Sequence, residues 1–118
     1  MEEVAIVNIA VVRGILSRPL ERRVLASGAT VAQLDVTVVV DGAPNETVPV
    51  AWVDAPAAVD TWEPGDELVV VGRVRRRFFR TGQGTASRTE LVASSVVRAR
   101  DRRRVRALLA AAAAELTS

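Results

Sequence analysis

The chain has 118 residues, a formal net charge of +2 and a pI near 10.8, yet all 16 basic residues are Arg, with no Lys, His, Cys or Tyr. Without Cys and His it has no disulfides, no thiolate or imidazole metal sites, no cysteine nucleophile and no Ser-His-Asp triad; without Lys it has no Schiff base and no P-loop. Apolar content of 49% with 25% charged residues fits one globular domain rather than a disordered chain. The acidic start Met1-Glu2-Glu3 runs into Val-rich alternation and is not a signal peptide, and no apolar run is long enough to span a bilayer. A soluble cytoplasmic protein with no cofactor, no membrane partner and no small-molecule substrate is therefore expected.

Twenty-two valines point to strands, because β-branched side chains suit a pleated, half-buried surface. The first strand is expected over Val4 to Leu16. Apolar residues fall on both parities there, as for a strand covered by a barrel on one side and a partner subunit on the other. Gly14 marks a bulge or sharp bend within it. Ser17-Arg18-Pro19 and Ser27-Gly28 are turns. The second strand runs from Thr30 to Val40 and ends at Asp41-Gly42, a pair favoured in tight hairpins. The third covers Glu46 to Val53, with Pro49 at an edge or bulge position.

Asp54-Ala55-Pro56 opens a short helix to Trp62, with Asp54 as its N-cap. After the turn Pro64-Gly65-Asp66, the fourth strand spans Glu67 to Phe79, a loop covers Arg80 to Thr85, and the fifth strand spans Arg88 to Val97. Asp101 caps a last helix, Arg102 to Leu116, with the stripe Val105, Leu108, Leu109, Ala112 and Leu116. Five strands with a short helix between the third and fourth is the order of an OB-fold barrel. The fold class is therefore all-β: a five-stranded OB-fold domain over residues 1–100, followed by an Arg/Ala-rich helix over 101–118.

The net charge hides a strong asymmetry. Residues 1–72 carry 4 Arg against 11 acidic groups, a net of −7, whereas residues 73–106 carry 12 Arg against Glu90 and Asp101, a net of +10. A basic third on an acidic body is the footprint of a polyanion binder, although solvated faces that bind nothing produce the same count.

Alternation along the fourth strand separates the two faces. Leu68, Val70, Gly72 and Val74 suit the barrel interior. Val69, Val71, Arg73, Arg75, Arg77 and Phe79 form the other set, in which three guanidinium groups precede an aromatic ring. Guanidinium groups neutralise phosphates, and an aromatic face stacks on a base for about 1–3 kcal/mol. Phe78 has interior parity and is expected to pack. Trp62 reads as a plug under the barrel, and Trp52 is balanced between core residue and base platform. Gly82-Gln83-Gly84 lacks the strand-to-helix setting of a nucleotide loop and is a hairpin turn.

These residues resemble the bacterial single-stranded DNA-binding proteins of the OB-fold type, over Asn8 to Val97. The resemblance is carried by Asn8-x-x-x-Val12-x-Gly14-x-Leu16, Pro19-x-Glu21, Gly28 with Val31-Ala32-Gln33-Leu34-Asp35-Val36, and Pro64-Gly65-Asp66 to Val71-Gly72. Counting on without a gap puts Phe79 where the family has a stacking Trp, and Thr89-Glu90-Leu91-Val92 on its Thr-Glu-Val-Val strand. The chain departs from the pattern where the hairpin between the second and third strands shrinks to Asp41-Gly42-Ala43-Pro44-Asn45 and carries no Trp. Val48 or a neighbour replaces another family Trp, Trp52 falls near a family Phe, and the Gly- and Pro-rich tail with its acidic, partner-recruiting tip has no counterpart.

The resemblance implies a homo-oligomer, dimer or tetramer, that binds single-stranded DNA, or possible RNA, without sequence preference in replication, repair and recombination near the nucleoid. Arg73, Arg75, Arg77, Arg80, Arg88 and Arg13 would hold phosphates, with Phe79 and Trp52 as stacking groups. Few aromatics imply strong salt sensitivity. The alternative is a protein-interaction module, like the primosomal protein of this fold or a partner of a full-length family member. An enzymatic role for Asp54, Asp60 or Glu63 ranks last, since caps and surface ion pairs account for such carboxylates. The Arg102, Arg103, Arg104 and Arg106 cluster either extends the basic track or belongs to a helix that docks on a neighbour.

Overall fold

The computed structural model describes residues 6–117. Six strands, β1 (Ala10–Leu16), β2 (Glu21–Val24), β3 (Thr30–Val38), β4 (Glu46–Val53), β5 (Glu67–Thr81) and β6 (Gly84–Arg98), are followed by helix α1 (Arg102–Thr117). A single 3-10 turn, Ala57–Thr61, lies between β4 and β5. The sheet order β1-β5-β6-β4-β3-β2 closes on itself because β1 also pairs with β3, so five strands form a ring and β2 hangs on the outside of β3. Pairings are antiparallel except β4 with β6, which run parallel at Val50↔Leu91 and Ala51↔Val92. This is the OB-type barrel expected from the element order.

Closure depends on a glycine. At Ile15 and Leu16 the strand β1, with Ile15 still paired to Glu67 of β5, also pairs with Thr37 and Val36 of β3. A Cβ on Gly14 would lie 2.5 Å from the Thr37 carbonyl oxygen, so only glycine lets the backbones approach this closely. The bend expected at Gly14 thus lies where β1 begins to bridge β5 and β3, and its register with β5 shows no bulge there. The bulge lies between Val71 and Gly72, where Val71 faces Ser95 and Gly72 faces Ala93. Ser94 is the extra residue, and its hydroxyl donates to the Val71 carbonyl at 3.0 Å. The extra residue switches β6 parity, so that Leu91 and Ala93 point inward before it and Val96 after it.

The core is filled by Leu16, Leu34, Val36, Val50, Leu68 and Val70, all at most 1% exposed, with Trp52 and Val59 at its lower end. The 3-10 turn closes that end and is held by Arg22, whose Nη groups donate to the Ala55 and Pro56 carbonyls and whose Nε meets Asp60 at 2.6 Å. Helix α1 packs on the outside of β5 and β6, Val105 and Leu108 covering Val69, Val97 and Ala99. The helix was expected either to extend the basic track or to dock on a neighbour; the structure shows it docked on its own barrel. It docks through Val105, Leu108 and Ala112, while Leu109 and Leu116 are 41% and 57% exposed. Asp101 caps it as expected, accepting from the Arg104 amide at 3.3 Å.

Several expectations are corrected. Strand β1 begins at Ala10, with Ile6 to Ile9 in extended coil and the expected start at Val4 outside the described residues. Strand β2 falls where turns flanked an unassigned stretch, because four residues with two adjacent Arg carry little periodic signal. Asp54 does not cap the 3-10 turn, whose N-cap is Pro56 with no side-chain bond. With φ of 53°, it ends β4 instead: its amide donates to the Thr30 carbonyl, and its carboxylate accepts from the Thr30 amide. The loop expected over Arg80 to Thr85 is ordered strand down to a two-residue turn at Gly82-Gln83.

Candidate nucleic-acid interface

Strands β5 and β6 are 15 residues each, about twice the length of the other barrel strands, so their outer halves leave the barrel as a hairpin arm. Inside the wall Leu68 to Gly72 are all buried; from Arg73 onward most of β5 is exposed. The arm is anchored at its base by Asn8, whose amide nitrogen donates to the Val74 carbonyl at 2.8 Å and whose oxygen accepts from the Val74 amide at 3.1 Å. A side chain here replaces a strand partner and adds one rung to the β1–β5 ladder. Val74, expected inside, is 48% exposed, and Phe78, expected to pack, is 67% exposed. Both have interior parity but lie beyond the point where there is an interior.

Between this arm and the β2–β3 turn lies a groove of about 500 Å³. Its floor is the outward parity of three barrel strands, Val31 of β3, Ala51 of β4 and Val92 of β6, all at most 8% exposed. Arg23 rises on one side with Val24 and Leu25, and Arg75 and Arg77 rise on the other. The side chains at the floor are short and apolar, and no aromatic lines the groove. A flat, apolar ligand surface fits between walls that supply positive charge.

Arg75 and Arg77 come together as expected. The Arg75 guanidinium is tied to Glu90, directly across the β5–β6 ladder, through Nε at 3.2 Å and Nη2. Arg88 lies opposite Arg77 and lines an adjoining hollow of about 200 Å³ beside Gln33, Glu21 and Asp35, where the local charge is mixed. Arg73 is exposed at the arm base, in a recess shared with Asn8 and Glu115. Phe79 shares the Arg73, Arg75, Arg77 face and is 38% exposed, further out along the arm. Arg80 has the opposite parity, on the side of Phe78 and Arg76.

Of the expected residues only Arg75 and Arg77 line the groove itself, and two, Trp52 and Arg13, lie away from both groove and arm. Trp52 points into the barrel with Val50 and Val48 on neighbouring inward positions, 9% exposed, its ring 6.2 Å from that of Trp62. Of its two expected roles, core residue is the one the structure shows. Trp62 is the plug expected beneath it, and the Arg98 guanidinium lies 5.9 Å from its ring centroid. Arg13 pairs with Glu67 at 2.9 Å, at the opposite end of β5 from Arg77; ten residues of strand separate the two ends, about 33 Å. Its hydrogen bond, and then its charge, hold the Glu67 carboxyl below the usual carboxylate range.

Arg23, Gln33 and the three floor residues are the positions that sequence reading missed. Arg22 and Arg23 are adjacent on a strand and so face opposite ways, one clamping the 3-10 turn and the other lining the groove. The parity of Val31, Gln33 and Ala51 was legible, but nothing in the chain marked the outward set of β3 and β4 as the groove floor.

The ring of five strands, the closing 3-10 turn and the projecting β5–β6 hairpin define an OB-type barrel with an open groove on its β3–β4 face. Among solved structures, the chain is similar to one described as Plasmodium falciparum SSB complex with ssDNA, with a TM-score of 0.67 over 83% of this chain and 98% of that one at 17% identity. That likeness is one of fold. No protein-family model matches the chain, and no curated protein is significantly similar to it in sequence. No helix among the described residues is long and apolar enough to cross a membrane.

Proposed function

We propose that this chain binds single-stranded DNA without sequence preference, in replication, repair or recombination, and that it does so as a binding protein rather than an enzyme. One observation carries this reading: an arginine-walled groove with an apolar floor lies between the β2–β3 turn and the β5–β6 arm. The similar fold of a protein solved in complex with ssDNA supports it. Bases lie against Val31, Ala51 and Val92 while Arg23 and Arg77 meet the backbone, and the strand passes up the arm to Phe79. Charge and stacking are tolerant of base identity, which gives the lack of sequence preference. Two of the three carboxylates weighed for chemistry have structural uses, Asp54 on Thr30 and Asp60 on Arg22.

Val11 and Ile15 lie 48% and 42% exposed on the outward face of β1, which supports the reading of this face as a subunit contact in a dimer or tetramer. A cytoplasmic, nucleoid-associated protein follows from the same function.

The test is a salt titration of oligo-dT binding followed by fluorescence anisotropy. Micromolar or tighter affinity is expected at low salt, with a steep fall as salt rises. No detectable binding to a long oligo-dT at about 50 mM salt, a condition where phosphate contacts are strong, rejects the proposal. Phe79→Ala is expected to weaken binding by about 5- to 150-fold, the range for one lost stacked base. Full affinity in that variant would remove Phe79 from the site and favour the protein-interaction reading of the arm.

A further inference from the structure

Among the described residues Glu90 is the only buried charged side chain. It stands on the groove face of β6 with no side-chain exposure, opposite Arg75. A buried carboxylate is costly unless it is paired and hydrogen-bonded. Here Oε1 accepts both bonds from Arg75, at Nε and Nη2, while Oε2 has no hydrogen-bond partner among the described residues. Both bonds use one edge of the guanidinium. That edge is fixed, the positive charge is cancelled locally, and the flat faces of the group are left to other contacts. Arg77, two residues further along β5, stands opposite Arg88 and makes no ion pair among the described residues. The groove supplies no aromatic ring, and of the three guanidinium groups that line it Arg75 is the one whose edge is held by a carboxylate.

We propose that Glu90 is a positioning residue that turns Arg75 from a phosphate contact into a flat platform for a nucleobase. Guanidinium planes stack on π-systems, and an edge held by a carboxylate loses less freedom when they do. The neutralising work then falls to Arg77 and Arg23. This rests on the single-strand binding proposed above, and it assigns two adjacent groove arginines different tasks that charge counting treats as one.

The experiment uses the full chain, labelled oligo-dT and an abasic strand of equal length, each titrated across NaCl concentrations, with circular dichroism melts to confirm folding. Arg77→Ala is expected to flatten the log affinity against log salt slope by about 0.7, one single-strand phosphate contact, with both probes. Arg75→Ala is expected to weaken oligo-dT binding by about 5- to 150-fold, to leave the slope unchanged, and to leave abasic binding unchanged. Glu90→Gln is expected to steepen the slope by about 0.7 as Arg75 turns to phosphate. Should Arg75→Ala fail to fold with Glu90 unpaired, the double variant Arg75→Ala/Glu90→Gln carries the same expectations as Arg75→Ala. If the Arg75 variant flattens the slope and weakens both probes as Arg77→Ala does, the platform assignment is overturned. An unchanged slope in Glu90→Gln overturns the role of Glu90. Loss of all oligo-dT binding by the wild type would instead reject the underlying function, so the two failures are distinct.

Discussion

Gly72 sits where the wall of the barrel becomes the arm, and its missing side chain is what permits the change. A Cβ there would lie 2.0 Å from the Val92 carbonyl oxygen and 2.8 Å from the Ala93 Cα, both backbone atoms that cannot swing aside. Gly72→Ala is therefore expected to cost about 1–3 kcal/mol or more by overpacking, read as a lowered thermal midpoint. It is also expected to loosen the Ser94 bulge, seen as faster amide exchange at residues 93–95. An unchanged midpoint would mean that the bulge yields easily. The Arg13–Glu67 pair behaves differently because both side chains are half exposed and screened by solvent. The Glu67 carboxyl is held low in the folded state by its hydrogen bond to Arg13 and then by the Arg13 charge. Its stabilisation is present above the unfolded carboxylate range and is lost as pH falls through the folded value. Glu67→Gln is expected to leave the melting temperature at pH 7 nearly unchanged and to reduce its decline on acidification. A large loss at pH 7 would contradict a solvent-screened pair.

At the scale of elements, α1 illustrates how periodicity selects a helix and leaves its orientation to the partner surface. The stripe Val105, Leu108, Leu109, Ala112 and Leu116 spans more than one face, and only the Val105–Leu108–Ala112 line meets the barrel, on Val69, Val97 and Ala99. Leu108→Ala is expected to detach the helix without melting the barrel. Early proteolysis within residues 102–117 and raised amide exchange there, with β1–β6 protection retained, would show this. A single cooperative loss of both would mean that barrel and helix fold as one unit. The sequence marked all five barrel strands, because Val-rich alternation bounded by Gly, Pro and Asp turns is a strong local signal, and Glu46–Val53 was placed to the residue. It did not mark β2, whose Glu-Arg-Arg-Val owes its strand state to pairing with Val31 and Ala32 rather than to its own pattern. Parity along β5 was read correctly throughout, but burial was expected for Val74 and Phe78, which are exposed. Alternation tells which side a residue takes, but not where the covering layer ends.

For the whole molecule, the +10 segment is not one patch. Its twelve arginines divide evenly about the long β5–β6 ladder. Arg73, Arg75, Arg76, Arg77, Arg80 and Arg88 lie on the arm, whereas Arg98, Arg100 and the helix arginines gather at the far end of the barrel. Arg98 pairs with Leu68 and Arg88 with Arg77, so nine residues of strand, about 30 Å, lie between Arg98 and the Arg77–Arg88 rung, and five, about 17 Å, between Arg98 and the arm base at Arg73. Sequence placed the twelve together because they are contiguous, and a hairpin followed by a returning helix sends contiguous residues to opposite ends. The groove lies with the arm group. A strand seated in the groove and no longer than one barrel's usual span, about 8 nucleotides, should sense only that group. Replacing Arg102, Arg103, Arg104 and Arg106 together by Gln is expected to leave the affinity and salt slope for such a short oligo-dT unchanged. Replacing Arg73, Arg77 and Arg88 together by Gln, the arm arginines of the groove face that Glu90 does not pair, is expected to flatten the slope by about 2, three single-strand contacts at about 0.7 each. Titrations of both variants against the wild type at matched salt decide it. Equal losses in the two variants would show that the bound strand crosses the whole barrel, from the arm to the helix.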